Sequence, residues 1–226
     1  KQQNKITEYR KMLLAWKKAG VIICCGYILG FPNDTKESIA SDIKIIQKEL
    51  PIDLLEFFNL TPLPGSEDHK KLYEAGVEMD ADLNKYDVTH ITTAHPRMSP
   101  DEWQEAYETA WENYYSLEHC EKVLRRAVAN GLSPGKTMFY LAWFKGCSSI
   151  EKIHPLEAGL LRLKFRRDRR NGLPLENPLV FYPKYAAETV WKHLRWISLY
   201  SRLGLIRRRV KNDPNRAEYM DDALVP

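Results

Sequence analysis

Residues 21–35, VIICCGYILGFPNDT, contain a short apolar run that ends in a turn rich in glycine and proline. A nearly continuous apolar run with β-branched residues is typical of a strand covered on both faces in a parallel sheet. A second apolar segment, 52–60, ends in a comparable turn, TPLPGS, at 61–66. Isoleucines at helical spacing between them complete the pattern of a β-α-β unit. Because the carboxyl ends of parallel strands meet at one edge of a sheet, the two turns predict one ligand pocket.

Helix signals surround this unit. Apolar spacing predicts a helix over 6–19. Asp34 with Glu37 predicts a capping box at the start of the helix between the two strands. The segment 99–102 predicts another capping box, with proline at the first helical position, at the start of a long aromatic helix. The chain beyond 132 is expected to form helices that are broken at four prolines: Pro155, Pro174, Pro178 and Pro183.

The composition is typical of a globular protein with a buried core, since 44% of the 226 residues are hydrophobic and the net charge is only +4. Most of the basic excess lies in the last third of the chain. The four cysteines show no metal-ligand spacing and do not form a disulfide framework. No apolar stretch reaches the roughly eighteen residues that a membrane span requires. These features predict a cytoplasmic protein, and they leave open a membrane association of its basic end.

The two turns are similar to motifs of a known family. Residues 26–32, Gly-x-Ile-x-Gly-Phe-Pro, resemble a late-strand motif of radical S-adenosylmethionine enzymes, and 61–66 resemble the exit loop of the next strand. The segment 95–99 and the aromatic helix after it resemble the continuation found in a subgroup that often carries an upstream cobalamin-binding domain. The resemblance assigns S-adenosylmethionine to eight residues of these turns: Gly26, Ile28, Gly30, Pro32, Thr61, Pro62, Pro64 and Gly65.

The resemblance implies an α/β fold, namely the distal strands and helices of a partial TIM-like barrel followed by a mostly helical carboxyl-terminal region. Two parallel strands do not make a stable sheet alone, so we expect further strands from a segment before Lys1 or from another chain. The expected regions are 1–76, the distal part of the barrel; 77–131, an extension with aromatic helices; 132–211, a basic helical region; and 212–226, a disordered tail.

The family also implies groups that this chain does not hold. A CxxxCxxC loop binds its [4Fe-4S] cluster, and that spacing does not occur here, so the cluster ligands are expected outside this chain, like any cobalamin-binding domain. The expected partners are S-adenosylmethionine, an electron donor protein, and a small-molecule or lipid-like substrate. The implied reaction is a cobalamin-assisted methylation or another radical rearrangement or oxidation. This chain alone is expected to be inactive.

The chemistry of the residues agrees with such a pocket but also permits a simpler interpretation. Gly26 and Gly30 would let a flat adenine or a ribose approach the strand backbone, and Ile28 would offer it an apolar surface. Pro62 and Pro64 would stiffen the second turn. Glycines in β-α turns also ease packing where no ligand binds, and the residues alone leave this alternative open.

Other candidate residues have weaker patterns. Cys24 and Cys25 alternate along a strand and are expected to be packing residues on opposite faces. Asp87, His90 and His95 lie close in sequence and could bind a metal or transfer a proton, although their spacing matches no strong ligand motif. The tryptophans and tyrosines of the aromatic helix are expected to be core, with a cavity-lining role as the alternative.

The basic end of the chain supports a second class of function. In 190–206, apolar residues (Trp191, Leu194, Ile197, Leu199, Tyr200 and Leu203) alternate with Lys192, Arg195 and Arg202, a pattern typical of a helix on an anionic membrane surface. The alternative to the enzyme is therefore a non-catalytic helical module that binds a partner or a membrane surface. The basic groups, including 162–170, lack a recognised reading motif, so a nucleic-acid partner is not expected.

Overall fold

The structure is a computed structural model and describes residues 6–159, 163–169 and 172–225. Its fold is α/β, mostly helical, with a small parallel sheet, which confirms the predicted class. The described elements are α1 (Ile6–Lys18), β1 (Cys24–Leu29), α2 (Lys36–Glu49), β2 (Leu54–Asn59), α3 (Glu67–Glu74), α4 (Pro100–Tyr114), α5 (Leu117–Ala129), α6 (Pro134–Gly146) and α7 (Pro178–Asn212). A 3-10 turn spans Leu83–Lys85, and a π-helical turn spans Cys147–Glu151.

The two predicted strands form the predicted parallel pair. Cys24 pairs with Leu54 and Leu29 with Asn59, so the strands are in register along their whole length. The sheet has these two strands in the described ranges, and a partial barrel is not seen there. Helix α2 provides the crossover, and its isoleucines Ile39 and Ile43 are buried.

The start of α2 differs from the prediction. Thr35, not Asp34, is the N-cap, and it forms a capping box with Ser38. The Asp34 carboxylate instead accepts hydrogen bonds from the amides of Gly30 and Phe31. Because its carboxylate binds these two amides of the preceding turn, Asp34 does not cap the helix. The predicted box at Ser99 is present, with Glu102 as its partner.

Helix α4 covers one face of the sheet with its aromatic side chains. Trp103, Tyr107, Trp111 and Tyr114 are buried, as the core interpretation predicts. The hydroxyl of Tyr115 accepts a hydrogen bond from the Leu55 amide and donates one to the Leu55 carbonyl, both at 3.0 Å. This hydroxyl satisfies a backbone donor and acceptor on the outer edge of β2, which therefore needs no further strand at that point.

Helix α7 is longer than predicted, because Pro183 lies inside it. A proline so near the start of a helix removes one backbone hydrogen bond close to an end where several amides lack partners anyway. One face of α7 is buried against α5 and α6 through Trp196, Leu199 and Leu203. None of the helices in the described ranges has the long apolar stretch that crossing a bilayer would take.

The carboxyl-terminal segment also differs from the prediction of a disordered tail. Residues 213–225 form turns that fold back on the helices. Asp221 accepts a hydrogen bond from buried Arg126 at 2.7 Å, and Asp213 accepts one from Arg125 at 2.8 Å. Ala223 is completely buried. Paired charges and a buried alanine thus hold this segment against the helices.

A buried histidine should make stability depend on pH. His119 packs edge-to-face on Tyr114 with ring centroids 4.6 Å apart, and burial, reinforced by Arg126 and Lys122, lowers its pKa to about 3. Between its unfolded pKa of 6.5 and about 3, the unfolded chain binds a proton that the folded chain does not. We expect the free energy of unfolding to fall by about 1.4 kcal/mol per pH unit as pH decreases through this window.

Urea unfolding of the wild-type chain and of the variant His119→Gln, at pH values from about 7 down to about 4.5, tests this expectation. Other groups titrate in the same range, so the informative quantity is the difference between the two pH slopes. The variant should have the shallower slope. Equal slopes would show that His119 is not held neutral by the fold.

Candidate functional site

The two predicted turns begin side by side at the carboxyl edge of the sheet. Leu29 pairs with Asn59, and the Leu60 amide donates a hydrogen bond of 2.8 Å to the Leu29 carbonyl. The chain after β1 enters a turn at 30–34, and the chain after β2 enters another at 61–66. The structure therefore brings together the two segments that the sequence selects.

One face of the sheet is left open near these turns. Along β1, Cys24, Gly26 and Ile28 are exposed, whereas Leu29 is fully buried and Cys25 and Tyr27 are partly buried. On β2, Glu56 and Phe58 pair with Gly26 and Ile28 and share their face, because paired residues of parallel strands point the same way. We call this surface, made by Gly26, Ile28, Glu56 and Phe58, the open face.

The outer edge of β1 is also unpaired in the described part of the chain. The carbonyls of Ile23 and Leu29 accept hydrogen bonds from the amides of Leu54 and Leu60 on the β2 side. Backbone groups alternate in direction along a strand, so those of Cys24, Gly26 and Ile28 are directed away from β2. This edge presents donors and acceptors that can pair with another strand or with a ligand.

The turn after β1 is organised by this chain's own side chains. Asp34 binds the amides of Gly30 and Phe31 at 2.8 and 2.9 Å. His95 donates from Nε2 to the Phe31 carbonyl at 2.8 Å, while its Nδ1 accepts from the amides of Arg97 and Met98. His95 therefore has a positioning role in the turn and does not join Asp87 and His90.

The two glycines of β1 and its turn face different surroundings. A Cβ at Gly30, which has φ +98°, would lie 2.0 Å from Cζ2 of Trp103. The missing side chain at Gly30 thus makes room for a buried tryptophan. Among the atoms that the structure describes, a Cβ at Gly26 would meet only the edge of the Phe58 ring, at 3.1 Å. Gly26 lies on the open face, where a ligand can approach the backbone beside that ring.

The remaining predicted residues differ in accessibility. Pro62 is buried, and Thr61 is half-buried with its hydroxyl donating to the Asn59 carbonyl at 3.1 Å. Pro32, Pro64 and Gly65 are exposed, with Gly65 at φ +88°. Binding of S-adenosylmethionine to the eight residues stays a prediction.

The structure adds two residues that sequence reasoning missed. Phe31 and Leu63, one on each turn, are nearly half exposed, as is Ile28 on the open face. Large apolar side chains that are exposed next to an open strand are typical of a surface to which a partner or a ligand binds. The sequence signal for them was their position in the turns: Phe31 directly follows Gly30, and Leu63 lies between Pro62 and Pro64.

The neighbouring cysteines do lie on opposite faces. Cys25 is partly buried on the covered face, but Cys24 is exposed, whereas packing was expected for both. Partial burial, with the nearby Glu56 carboxylate, raises the pKa of Cys24 to about 12. The thiol therefore stays protonated at neutral pH and is a poor nucleophile.

A pocket of about 460 Å³, lined by polar and aromatic residues, lies beyond the carboxyl end of β2, between α4 and the π-helical turn. Asp87 and His90 line it together, with Asp87 Oδ2 accepting from His90 Nδ1 at 2.7 Å. Partial burial would raise the pKa of Asp87, but hydrogen bonds from His90 and Thr89 outweigh it and hold the pKa below its ordinary value. The contact fixes the His90 ring through Nδ1, and a role of the pair in proton transfer stays a prediction.

Unusual backbone surrounds this pocket. Val88 and Lys152 are the non-glycine residues with positive φ in the described chain, at 63° and 54°. The π-helical turn also contributes lining residues. His154 is buried there, accepts from the Leu156 amide through Nδ1, and has no partner for Nε2 among the described atoms. Its ring stacks on Phe58, with centroids 4.9 Å apart, so the pocket adjoins the open face.

The described residues contain no group of three or more His, Cys, Asp or Glu side chains that could hold a metal ion. No family model, curated protein or solved structure matches the chain. The geometry above is therefore the basis for inferring a function.

Proposed function

We propose that this chain is the carboxyl-terminal part of a radical S-adenosylmethionine enzyme and provides one wall of its nucleoside pocket. The observation that carries the proposal is the open face of the sheet, next to two adjoining turns and to an edge of β1 that has no partner strand in the described ranges. Two neighbouring strands of a barrel, taken without the others, likewise expose their interior face and one free edge. The partial barrel is part of the same proposal.

The residues on the open face suit an adenosine group. Gly26 has no side chain, so a flat ring can contact the strand, and Ile28 gives it an apolar surface that is nearly half exposed. The backbone groups of Gly26 and Ile28 that point away from β2 can hydrogen-bond an adenine edge. Phe31 and Leu63 add an apolar rim. Gly30 does not contact the nucleoside in this proposal, because Trp103 occupies the space beside it.

The same residues do not suit an iron-sulfur cluster. The chain has no CxxxCxxC spacing, and Cys24, the exposed cysteine at the start of β1, is a single thiol held protonated. The proposal therefore places the cluster ligands on a segment outside this chain. If S-adenosylmethionine were bound next to a reduced cluster, one electron from the cluster would cleave its sulfonium S–C5' bond and give methionine and a 5'-deoxyadenosyl radical. The role of this chain would be to orient the nucleoside and to exclude water from it.

The variant Ile28→Glu tests the nucleoside wall directly. A carboxylate at this position adds a buried charge under the base and removes the apolar contact. We expect affinity for S-adenosylmethionine to fall at least about tenfold, equivalent to about 1.4 kcal/mol. Equilibrium dialysis with labelled S-adenosylmethionine measures this on the 226-residue chain. The control Ile45→Glu changes a similarly exposed isoleucine on α2 and should leave binding unchanged.

The longer enzyme provides the second test. After reconstitution with iron and sulfide under reducing conditions, 5'-deoxyadenosine should form with wild-type protein and the Ile45→Glu variant, and much more slowly with Ile28→Glu. If wild-type protein with an intact cluster formed no 5'-deoxyadenosine, the proposed enzyme would be contradicted. Equal rates for the two variants would contradict the proposed wall.

A further inference from the structure

Helix α7 has an unusual charge for its length. Over Pro178–Asn212 it has a single acidic residue, Glu188, and eight lysines and arginines: Lys184, Lys192, Arg195, Arg202, Arg207, Arg208, Arg209 and Lys211. Glu188 is neutralised, because Lys164 and Lys192 both bind its carboxylate, at 2.8 and 3.0 Å. The helix is therefore strongly cationic.

Apolar residues lie on two opposite faces of this helix. The buried face, with Trp196, Leu199 and Leu203, packs on the helical core. Leu199 and Leu203, which the sequence pattern predicts on a membrane-facing side, belong to this core face. Lys192 is likewise occupied, since it pairs with Glu151 at 2.9 Å as well as with Glu188. The exposed surface of α7 therefore consists of different residues from those that the sequence predicts.

The other apolar face is exposed. We call it the exposed stripe, and its members are 60–84% exposed: Leu179, Val190, Leu194, Ile197 and Leu205. Spacings of eleven, four, three and eight residues keep all five on one side of an α-helix. The stripe runs for about 39 Å, from a rise of about 1.5 Å per residue. A row of this length is unusual for a surface in contact only with water.

Basic residues follow one side of the exposed stripe. Lys184, Arg195 and Arg202 are exposed and are separated by eleven and seven residues, which keeps them on a common line. Arg195 lies over the ring of Trp191, 4.7 Å from its centroid, and Trp191 is itself half exposed. A tryptophan and cations beside an apolar stripe are typical of a helix that lies in a membrane interface.

We propose that α7 binds flat on an anionic lipid surface, with the exposed stripe in the acyl boundary and the basic line against the headgroups. The charge of the helix selects an anionic partner. The stripe selects lipid over nucleic acid, because phosphate backbones are contacted by basic and polar side chains, not by a row of aliphatic ones. A second copy of the chain would place two strongly cationic helices side by side, which their repulsion disfavours.

Vesicle co-sedimentation of the 226-residue chain tests the proposal. Phosphatidylcholine vesicles that contain roughly a third of phosphatidylglycerol should bind at least about tenfold more protein than phosphatidylcholine alone. Raising the salt from about 0.1 to about 1 M, which shortens the Debye length from about 10 to about 3 Å, should remove most of this preference.

Two sets of variants separate the apolar and the basic contributions. The stripe variant Val190→Gln, Leu194→Gln, Ile197→Gln should lower partitioning about 100-fold, because these side chains are the ones inserted. The basic variant Lys184→Gln, Arg195→Gln, Arg202→Gln should lower it about 10- to 100-fold on anionic vesicles only.

Matched controls change equally exposed residues elsewhere. Tyr73→Gln with Leu83→Gln removes exposed apolar side chains outside α7, and Lys70→Gln, Lys71→Gln, Lys122→Gln removes three exposed charges. Both controls should bind like wild type, and circular dichroism should show the same helix content for every variant.

The proposal is overturned by any of four results. The first is no binding to anionic vesicles. The second is binding that the stripe and basic variants leave unchanged. The third is a dimer, measured by light scattering, that the stripe variant converts to monomer, since a second copy would then cover the stripe. Binding to duplex DNA with the same loss in the stripe variant would likewise assign the surface to another partner.

Discussion

Replacing Lys17 with methionine is expected to lower the free energy of unfolding by about 3–5 kcal/mol. Lys17 and Asp53 form an ion pair, each only 1% exposed, that ties α1 to the start of β2. The second oxygen of Asp53 accepts a hydrogen bond of 2.8 Å from the Ile23 amide at the start of β1. Without Lys17, the carboxylate would keep one amide hydrogen bond and lose its main counter-charge in a dry environment.

The protonation of Asp53 gives this prediction its physical reason. Burial raises the pKa of Asp53, and Lys17 is the main group that opposes the shift. After Lys17→Met, Asp53 must either remain charged and unpaired or take up a proton, and both cost free energy. Urea unfolding at neutral pH measures the loss.

Two further variants make the result decisive. The double variant Lys17→Met, Asp53→Asn should recover much of the loss, because it removes both charges. Lys18→Met, which changes an exposed neighbour on the same helix, should change stability by less than about 0.5 kcal/mol. If the two single lysine variants were equally stable, the buried pair would not have the energetic role assigned to it.

Gly30→Ala is expected to be nearly as costly, lowering the free energy of unfolding by about 2–4 kcal/mol. The new Cβ would lie 2.0 Å from the ring of buried Trp103, which has to move. The backbone at Gly30, with φ +98°, is also a conformation that alanine rarely adopts. Thermal and urea unfolding measure the sum of the two effects.

Gly65→Ala separates the two contributions. Gly65 also has positive φ, +88°, but no atom of the described residues lies within 4 Å of its ideal Cβ. This variant should lose only the backbone part, about 1 kcal/mol. Equal losses at the two glycines would mean that Trp103 relaxes freely and that Gly30 is not required by packing.

Gly26 and Gly30 have different roles at the proposed nucleoside pocket. From the sequence, Gly26 and Gly30 are predicted to let a nucleoside approach the strand equally well. In the structure, Gly30 accommodates this chain's own tryptophan, whereas Gly26 lies on the open face. The simpler interpretation of glycine as a packing residue is therefore supported at Gly30. The proposed nucleoside wall depends on Gly26 and Ile28.

Much of the local structure was predictable because short-range chemistry decides it. The two strands, the β-α-β order and the capping box at Ser99 are visible as apolar runs, helical spacing and a Ser-x-x-Glu pattern. Two local predictions failed where several solutions competed. Asp34 and Thr35 are both good N-caps, and the backbone amides of the preceding turn decided between them. Pro183 fits inside a helix because it lies near the start.

The residues by themselves determined the fold class, the strand pairing and the two turns, since each follows from a repeat or a conformational preference within a few neighbours. Only the tertiary structure decided which side of each element is covered. It placed Trp103 against Gly30, His95 on the Phe31 carbonyl, and Leu199 in the core while Leu194 remains exposed. These outcomes depend on contacts between residues far apart in the chain, and side-chain type at a position does not reveal what will lie opposite it.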